Sequence, residues 1–282
     1  MFRVNGIVDS RIRFASPVQW IVRQMRCSSF SALLFVGLVL MFLVAPLIVV
    51  IVFSLHNIPR MSLPFNGVSF RWYIRLFADT EVHQSIMRSL AAGIATAIFA
   101  TPLGVSAALS VRILPPRLRN FILAIVLLPS AVPGLLLAVA LAIYWRGALG
   151  LRFSLAVAVA GHILLALPFV ILTMNASVSN FRYSLLEAAR DLGASPLQTF
   201  RDILFPIIRP AIEGSALLAI AISLDEFIVT LFVGGRDTTL PLLIWGRIQR
   251  SVDPSLNALA TCLLFATTLL AFLAVRRTTR KL

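Results

Sequence analysis

Lysine is all but missing from this sequence: Lys281, next to the C-terminal residue, is the one lysine in 282 positions. A nucleotide-binding loop of the Gly-Lys-Ser/Thr type needs its lysine at the end of a glycine-rich turn, so the chain does not hold nucleotide by that device. Cysteine is nearly as scarce. Cys27 precedes the first long apolar run and Cys262 lies inside the last, which argues against a disulfide framework or a zinc site. His56, His83 and His162 fall on separate segments, so no set of His, Asp, Ser or Cys converges at one depth as a membrane enzyme requires. Charge is sparse as well: 13% of residues are charged and 59% hydrophobic. A soluble domain carries about a quarter charged residues. The apolar excess does not fit one water-soluble core, and the class is integral membrane.

What charge there is, is mostly basic, with 25 Lys and Arg against 11 Asp and Glu. These basic residues stand at the ends of apolar runs and not along an amphipathic face. That is the pattern of topology signals and lipid-headgroup anchors, and it favours membrane lipid over nucleic acid as the partner.

Runs long enough to cross a bilayer, each about 20 residues or more, cover 30–55, 89–111, 121–145, 153–174, 211–233 and 255–275. The expected fold is all-α integral membrane with six transmembrane helices, because helices satisfy their own backbone groups in lipid. Arg3, Arg11, Arg13, Arg23 and Arg26 precede the first run. It is too long for a cleaved signal and reads as a signal anchor. The chain then divides into a tail, 1–29, and a transmembrane domain, 30–282. Six spans put both termini on one side. The basic excess in the tail, 112–119, 175–210 and 276–281 places that side in the cytoplasm. Trp72, Tyr73, Tyr144, Trp145 and Trp245 then fall near the outer interface. Pro46, Pro102, Pro129, Pro133 and Pro168 lie inside runs. They read as packing kinks, and the Pro129–Pro133 pair also suggests carbonyls freed toward a pathway.

The connection 184–206 reads SLLEAARDLGASPLQTFRDILFP. Ser184 with Glu187, and Ser195-Pro196 with Gln198, each have capping-box spacing. Gly193 sits where the first helix must stop. Pro206 begins the approach to the fifth run. The expectation is two short helices with a sharp turn. Holding such a unit costs ordering entropy, so it reads as a docking element; the plain alternative is that Glu187 only caps its own helix.

The fifth run carries Glu213, Asp225 and Glu226. An ionised group at mid-membrane costs about 2.5–3.5 kcal/mol on insertion scales. One reading is a hydrated structural pair. The other is a water-filled path that attracts a cationic solute, with Asp225, Glu226, Tyr144 and Trp145 as lining candidates through charge and cation–π contact. The two aromatics equally suit interface anchors.

Glu187-Ala188-Ala189, then Gly193, Ile203 and the closing Pro206, resemble the EAA loop of permease subunits of ATP-binding cassette importers. That pattern is E-A-A, three residues, G, nine residues, I, one residue, L-P; Phe205 replaces its leucine. Ser223-Leu224-Asp225-Glu226, Leu240-Pro241, the stretch 252–261 and Phe70-Arg71-Trp72-Tyr73 are similar to permeases of spermidine/putrescine importers. Glu226 departs from the commoner Asp-Asp. Importers of ferric iron, opines or other small organic solutes share parts of these motifs.

The resemblance implies a type I importer permease in the bacterial inner membrane, moving a cationic solute such as a polyamine. Its loop would dock in a groove on an ATP-binding subunit dimer. Glu187 would make the polar contact, Gly193 the tight turn, and Ala188 and Ala189 a small docking face. ATP and magnesium would sit on that partner, with no cofactor on this chain. A second, paralogous permease and a periplasmic solute-binding protein would complete the assembly. A stand-alone channel or ion-driven carrier is the competing class and needs no docking loop.

Overall fold

The structure, a computed structural model, describes residues 29–58, 67–179, 181, 184–250 and 254–279. The tail with its arginines and Cys27, together with Val252, Asp253 and Lys281, lies outside the described residues. Among the described residues the chain is helical, with one isolated bridge between His56 and Val68.

Helix α1 (Ser29–Ser54) is apolar along its length. It packs on α12 (Pro254–Thr279) and otherwise leaves its apolar surface uncovered. Helix α2 (Arg71–Ala78) is short and amphipathic. Helix α3 (Thr80–Arg112) starts nine residues before the apolar run expected there. Asp79 caps it, accepting from the N–H groups of Glu81 and Val82 at 3.0 and 3.2 Å. An N-cap satisfies backbone donors that hydropathy does not see, so polar first turns were invisible to the run.

The third run is two helices, α4 (Pro116–Ala131) and α5 (Gly134–Ile143), bent by 97°. Val132 precedes Pro133 and is extended, with ψ 133°, because the proline ring crowds a helical residue before it. A π turn, Tyr144–Ala148, follows α5. Helix α6 (Leu155–Ser179) follows, and Pro168 lies within it.

Helices α7 (Ser184–Asp191) and α8 (Pro196–Thr199) form the expected connection. The second is not a separate element. It continues through a π turn, Phe200–Leu204, into α9 (Phe205–Asp225), so that Pro196–Asp225 is one helix of 30 residues. Pro206 has no N–H to offer the carbonyl one turn back, and the ladder slips to the wider Phe205 N–H to Phe200 C=O bond. The fifth run also ends earlier than expected. Glu226 is extended, and the remainder of the run is a separate helix, α10 (Ile228–Val233). Helix α11 (Leu240–Arg250) follows.

Among the described residues four helices are long and apolar enough to cross a membrane: α1, α3, α6 and the joined α8–α9. The bent α4–α5 pair makes five, and α12 carries a shorter apolar stretch, Pro254–Leu269. The centre of the fold is α3, α6 and α9. Ala97, Ala100, Ala108, Ala166 and Ala219 are buried there with Val170 and Met174. Small residues let helix backbones approach closely, and dispersion between them replaces a hydrophobic driving force that lipid does not supply.

Trp72 does not point out from the protein surface. It is fully buried in a cluster of α2, α3, α11 and α12. Its indole N–H donates to the His56 carbonyl at 2.6 Å, and the Arg71 guanidinium lies 4.3 Å from the ring centre. A tryptophan that finds its hydrogen bond inside has no need of the headgroup region.

Candidate functional site

The connection α7–α8 is built from local signals. Gly193 has φ +84°, and a side chain added there would meet nothing within 4 Å. The glycine is therefore required by the backbone and not by crowding. Its N–H bonds the Arg190 carbonyl at 2.9 Å, and Ala194 N–H bonds Ala189 C=O at 3.0 Å. This is the double bond pattern that closes a helix on a left-handed residue. Ser195 and Gln198 form a reciprocal capping box at 3.3 and 2.9 Å. Ser184, by contrast, is the first residue inside α7 and not a flanking cap.

Of the loop residues singled out above, Ala189 is buried, Ile203 partly buried, and Glu187, Ala188, Gly193 and Pro206 exposed. Leu192 and Leu197 flank the turn and are 88% and 74% exposed. The tip thus shows water two leucines around a flat glycine, with a carboxylate one turn behind. A surface of that kind suits an apolar groove with a polar rim.

The second feature is the break between α9 and α10. Asp225 ends α9 and opens on a cavity of about 520 Å³. The cavity also touches Ser89 of α3, Phe227, Pro241 and Trp245 of α11, and Thr267 of α12. Phe227 and Trp245 lie with ring centres 5.5 Å apart. Glu226 does something else: its Oε1 accepts from Val229 N–H at 2.9 Å and caps α10. Tyr144 is exposed elsewhere, and Trp145 packs with Ala138, Ala158 and Val229. The structure therefore brings Asp225 together with Phe227 and Trp245, not with Tyr144 and Trp145. The Pro129–Pro133 break does not line this cavity.

Behind the break lies a buried polar chain. His162 of α6 is fully buried. Its Nδ1 is 2.8 Å from Ser223 Oγ on α9 and its Nε2 3.0 Å from Thr230 Oγ1 on α10. Thr96 of α3 donates to Ser223 at 3.3 Å, and Thr230 donates to the Glu226 carbonyl at 3.4 Å. Among the described residues no group of three His, Cys, Asp or Glu is placed to hold a metal.

An ion-pair cluster fixes α11 to the start of α3. Arg247 lies 2.7 Å from Asp79 and 3.0 Å from Glu81. Burial alone would raise the Asp79 carboxyl. The Arg247 hydrogen bond and the backbone N–H of Val82 outweigh it and hold Asp79 below its ordinary value.

Glu213 is paired within its own helix, 2.7 Å from Arg209. Sequence reasoning set Trp245 at the interface and gave Phe227 no role. Both line the same cavity as Asp225 because the helix stops at Asp225 and α11 folds back, and no spacing rule signals that.

Long apolar helices around a small-residue core, with an exposed helical loop, define a membrane transport subunit. The chain belongs to the family described as binding-protein-dependent transport system inner membrane component, which matches residues 100–279. It is similar to the spermidine/putrescine transport system permease protein PotC of Escherichia coli strain K12, 31% identical over 224 residues, covering 79% of this chain and 84% of that one. The putrescine transport system permease protein PotI of the same strain is 34% identical over 247 residues, covering 83% and 85%. PotC of Haemophilus influenzae is 32% identical over 233 residues, covering 82% and 89%. The fold matches the crystal structure of a bacterial ABC transporter involved in import of the acidic polysaccharide alginate. The TM-score is 0.63 at 18% identity, covering 90% of this chain and 97% of that one. At that identity the likeness shows the fold alone. The chain is a permease subunit of the ATP-binding cassette importer class, a multi-pass protein of the inner membrane and not an enzyme.

Proposed function

We propose that this chain forms one half of the path by which an ATP-driven importer carries a polyamine inward across the inner membrane. The observation that carries the solute class is Asp225. It is a carboxylate at a helix break, in a mostly apolar cavity beside the Phe227–Trp245 pair. A polyamine alternates ammonium groups with short methylene stretches. A carboxylate with aromatic faces and apolar walls meets both parts. The polyamine relatives support the same class.

In this reading the loop 184–206 docks on an ATPase dimer, which holds ATP and magnesium. Glu187 makes the polar contact, Ala188 and Ala189 give the small helix face, Gly193 makes the turn, and Ile203 and Pro206 join the loop to the span. A second, paralogous permease supplies the other half of the path, and a periplasmic binding protein delivers the solute. Six spans leave both termini in the cytoplasm, with 1–29 as a tail on the membrane domain 30–282.

The test is uptake of labelled spermidine and putrescine by cells that rely on this importer, with wild type and Asp225→Asn. Saturable uptake that is lost in the variant supports the reading. Uptake of neither amine by wild type would remove the solute assignment.

A further inference from the structure

We infer that His162 is a positioning residue that sets where Asp225 stands. The inference rests on the reading that the break borders the solute path. The hydrogen-bond chain behind the break has one consistent direction. Thr230 gives its proton to the Glu226 carbonyl, so Thr230 Oγ1 must accept from His162 Nε2–H. In a neutral ring His162 Nδ1 is then the acceptor and takes the Ser223 hydroxyl proton. Ser223 in turn accepts from Thr96. Ser223, His162 and Thr230 each give once and receive once when His162 is the neutral tautomer with hydrogen on Nε2.

The chain ties both sides of the break to the central helices. Ser223 is two residues before Asp225 and Thr230 five after it. One imidazole holds both, so α9 and α10 cannot shift independently without losing a buried hydrogen bond. Glu226 adds a second fastening through its cap on α10. Close packing leaves the ring little freedom. A methyl group on Gly161, the neighbour of His162, would lie 2.6 Å from Val229 Cγ1, so α10 rests directly on the α6 backbone. With Ser223, Thr230 and Glu226 each turned to a fastening, Asp225 is the polar side chain at the break left facing the cavity.

The test separates hydrogen bonding from packing. Thr230→Val keeps the shape and removes the hydroxyl; Thr230→Ser keeps the hydroxyl and removes a methyl. In an assembled importer reconstituted in vesicles, with Cys27 and Cys262 replaced by alanine, Asp225→Cys reports its own exposure. The readout is the rate of its reaction with a membrane-impermeant cationic methanethiosulfonate. His162→Leu and Thr230→Val should each change that rate about tenfold, the scale of one lost hydrogen bond. Thr230→Ser should stay within about twofold on the same scale. An unchanged rate in Thr230→Val, or an equal change in Thr230→Ser, would overturn the inference. If Asp225→Asn imports polyamine at the wild-type rate while the thiol rates behave as stated, the path reading falls and the positioning of residue 225 stands.

Discussion

Gly193 holds its φ of +84° in open space, and that conformation costs an ordinary residue about 1–2 kcal/mol. Gly193→Ala should therefore weaken the turn without a clash. Gly193→Asp adds a charge between the exposed Leu192 and Leu197 and should abolish capture of the ATPase. Co-purification from detergent-solubilised membranes checks both, and capture by the aspartate variant would sink the docking role. Asp225→Asn should cut maximal polyamine uptake about tenfold or more, the scale of one charge-assisted contact, with ATPase capture unchanged. These two residues were differently legible. The Gly193 turn and the Ser195–Gln198 box are local, and their chemistry lies within four residues. Asp225 and Glu226 are adjacent and alike. Only the helix ending between them decides that one faces a cavity and the other caps a helix. The burial of Trp72 was hidden for a related reason: amphipathic rings suit an interface, and the His56 carbonyl that satisfies this one inside the protein comes from another segment.

Hydropathy located the elements well and their ends poorly. It marks the part of a helix that lies in lipid, so the capped first turns of α3 and the whole of α8 fell outside the runs. The π turn at Phe200–Leu204 was not expected either, although Pro206 is its cause. Pro206→Ala returns the missing N–H and should let the turn relax to α-helix. Removing one residue's worth of slack rotates everything before it by about 100°. The loop would then present a different face, and solute-stimulated ATP hydrolysis by the assembled importer should fall. Unchanged stimulation would mean the π turn is incidental. The fastening of α11 to α3 makes a prediction about pH. Asp79 is held below its ordinary value near 3.8, so the contribution of Arg247 is complete above that pH and lost as pH falls through the depressed value. Arg247→Ala should lower the melting temperature of the detergent-solubilised protein at pH 7. The gap to wild type should narrow as pH falls through the depressed Asp79 value, and a gap that does not narrow in acid would mean that packing and not charge holds α11.

The whole molecule leaves much apolar surface uncovered, including most of α1, as expected of a chain solvated by lipid and by other subunits. Tagged protein from mild detergent should bring down an ATPase and a second permease. Recovery of neither would remove the proposed assembly. The continuity of α8 with α9 gives such an assembly a mechanical property. The 30-residue helix from Pro196 to Asp225 is about 45 Å long at 1.5 Å per residue. One end lies beside the docking turn and the other is Asp225 itself. It is a lever with a soft joint at its lower end, where the π turn sits. A tilt of about 10° at the lower end would swing the upper end by about 8 Å over that length. That is more than the 4.7–4.9 Å spacing of two hydrogen-bonded strands and comparable to the distance between packed helices. In the proposed assembly, a push on the α7–α8 turn would thus reach Asp225 along one continuous helix.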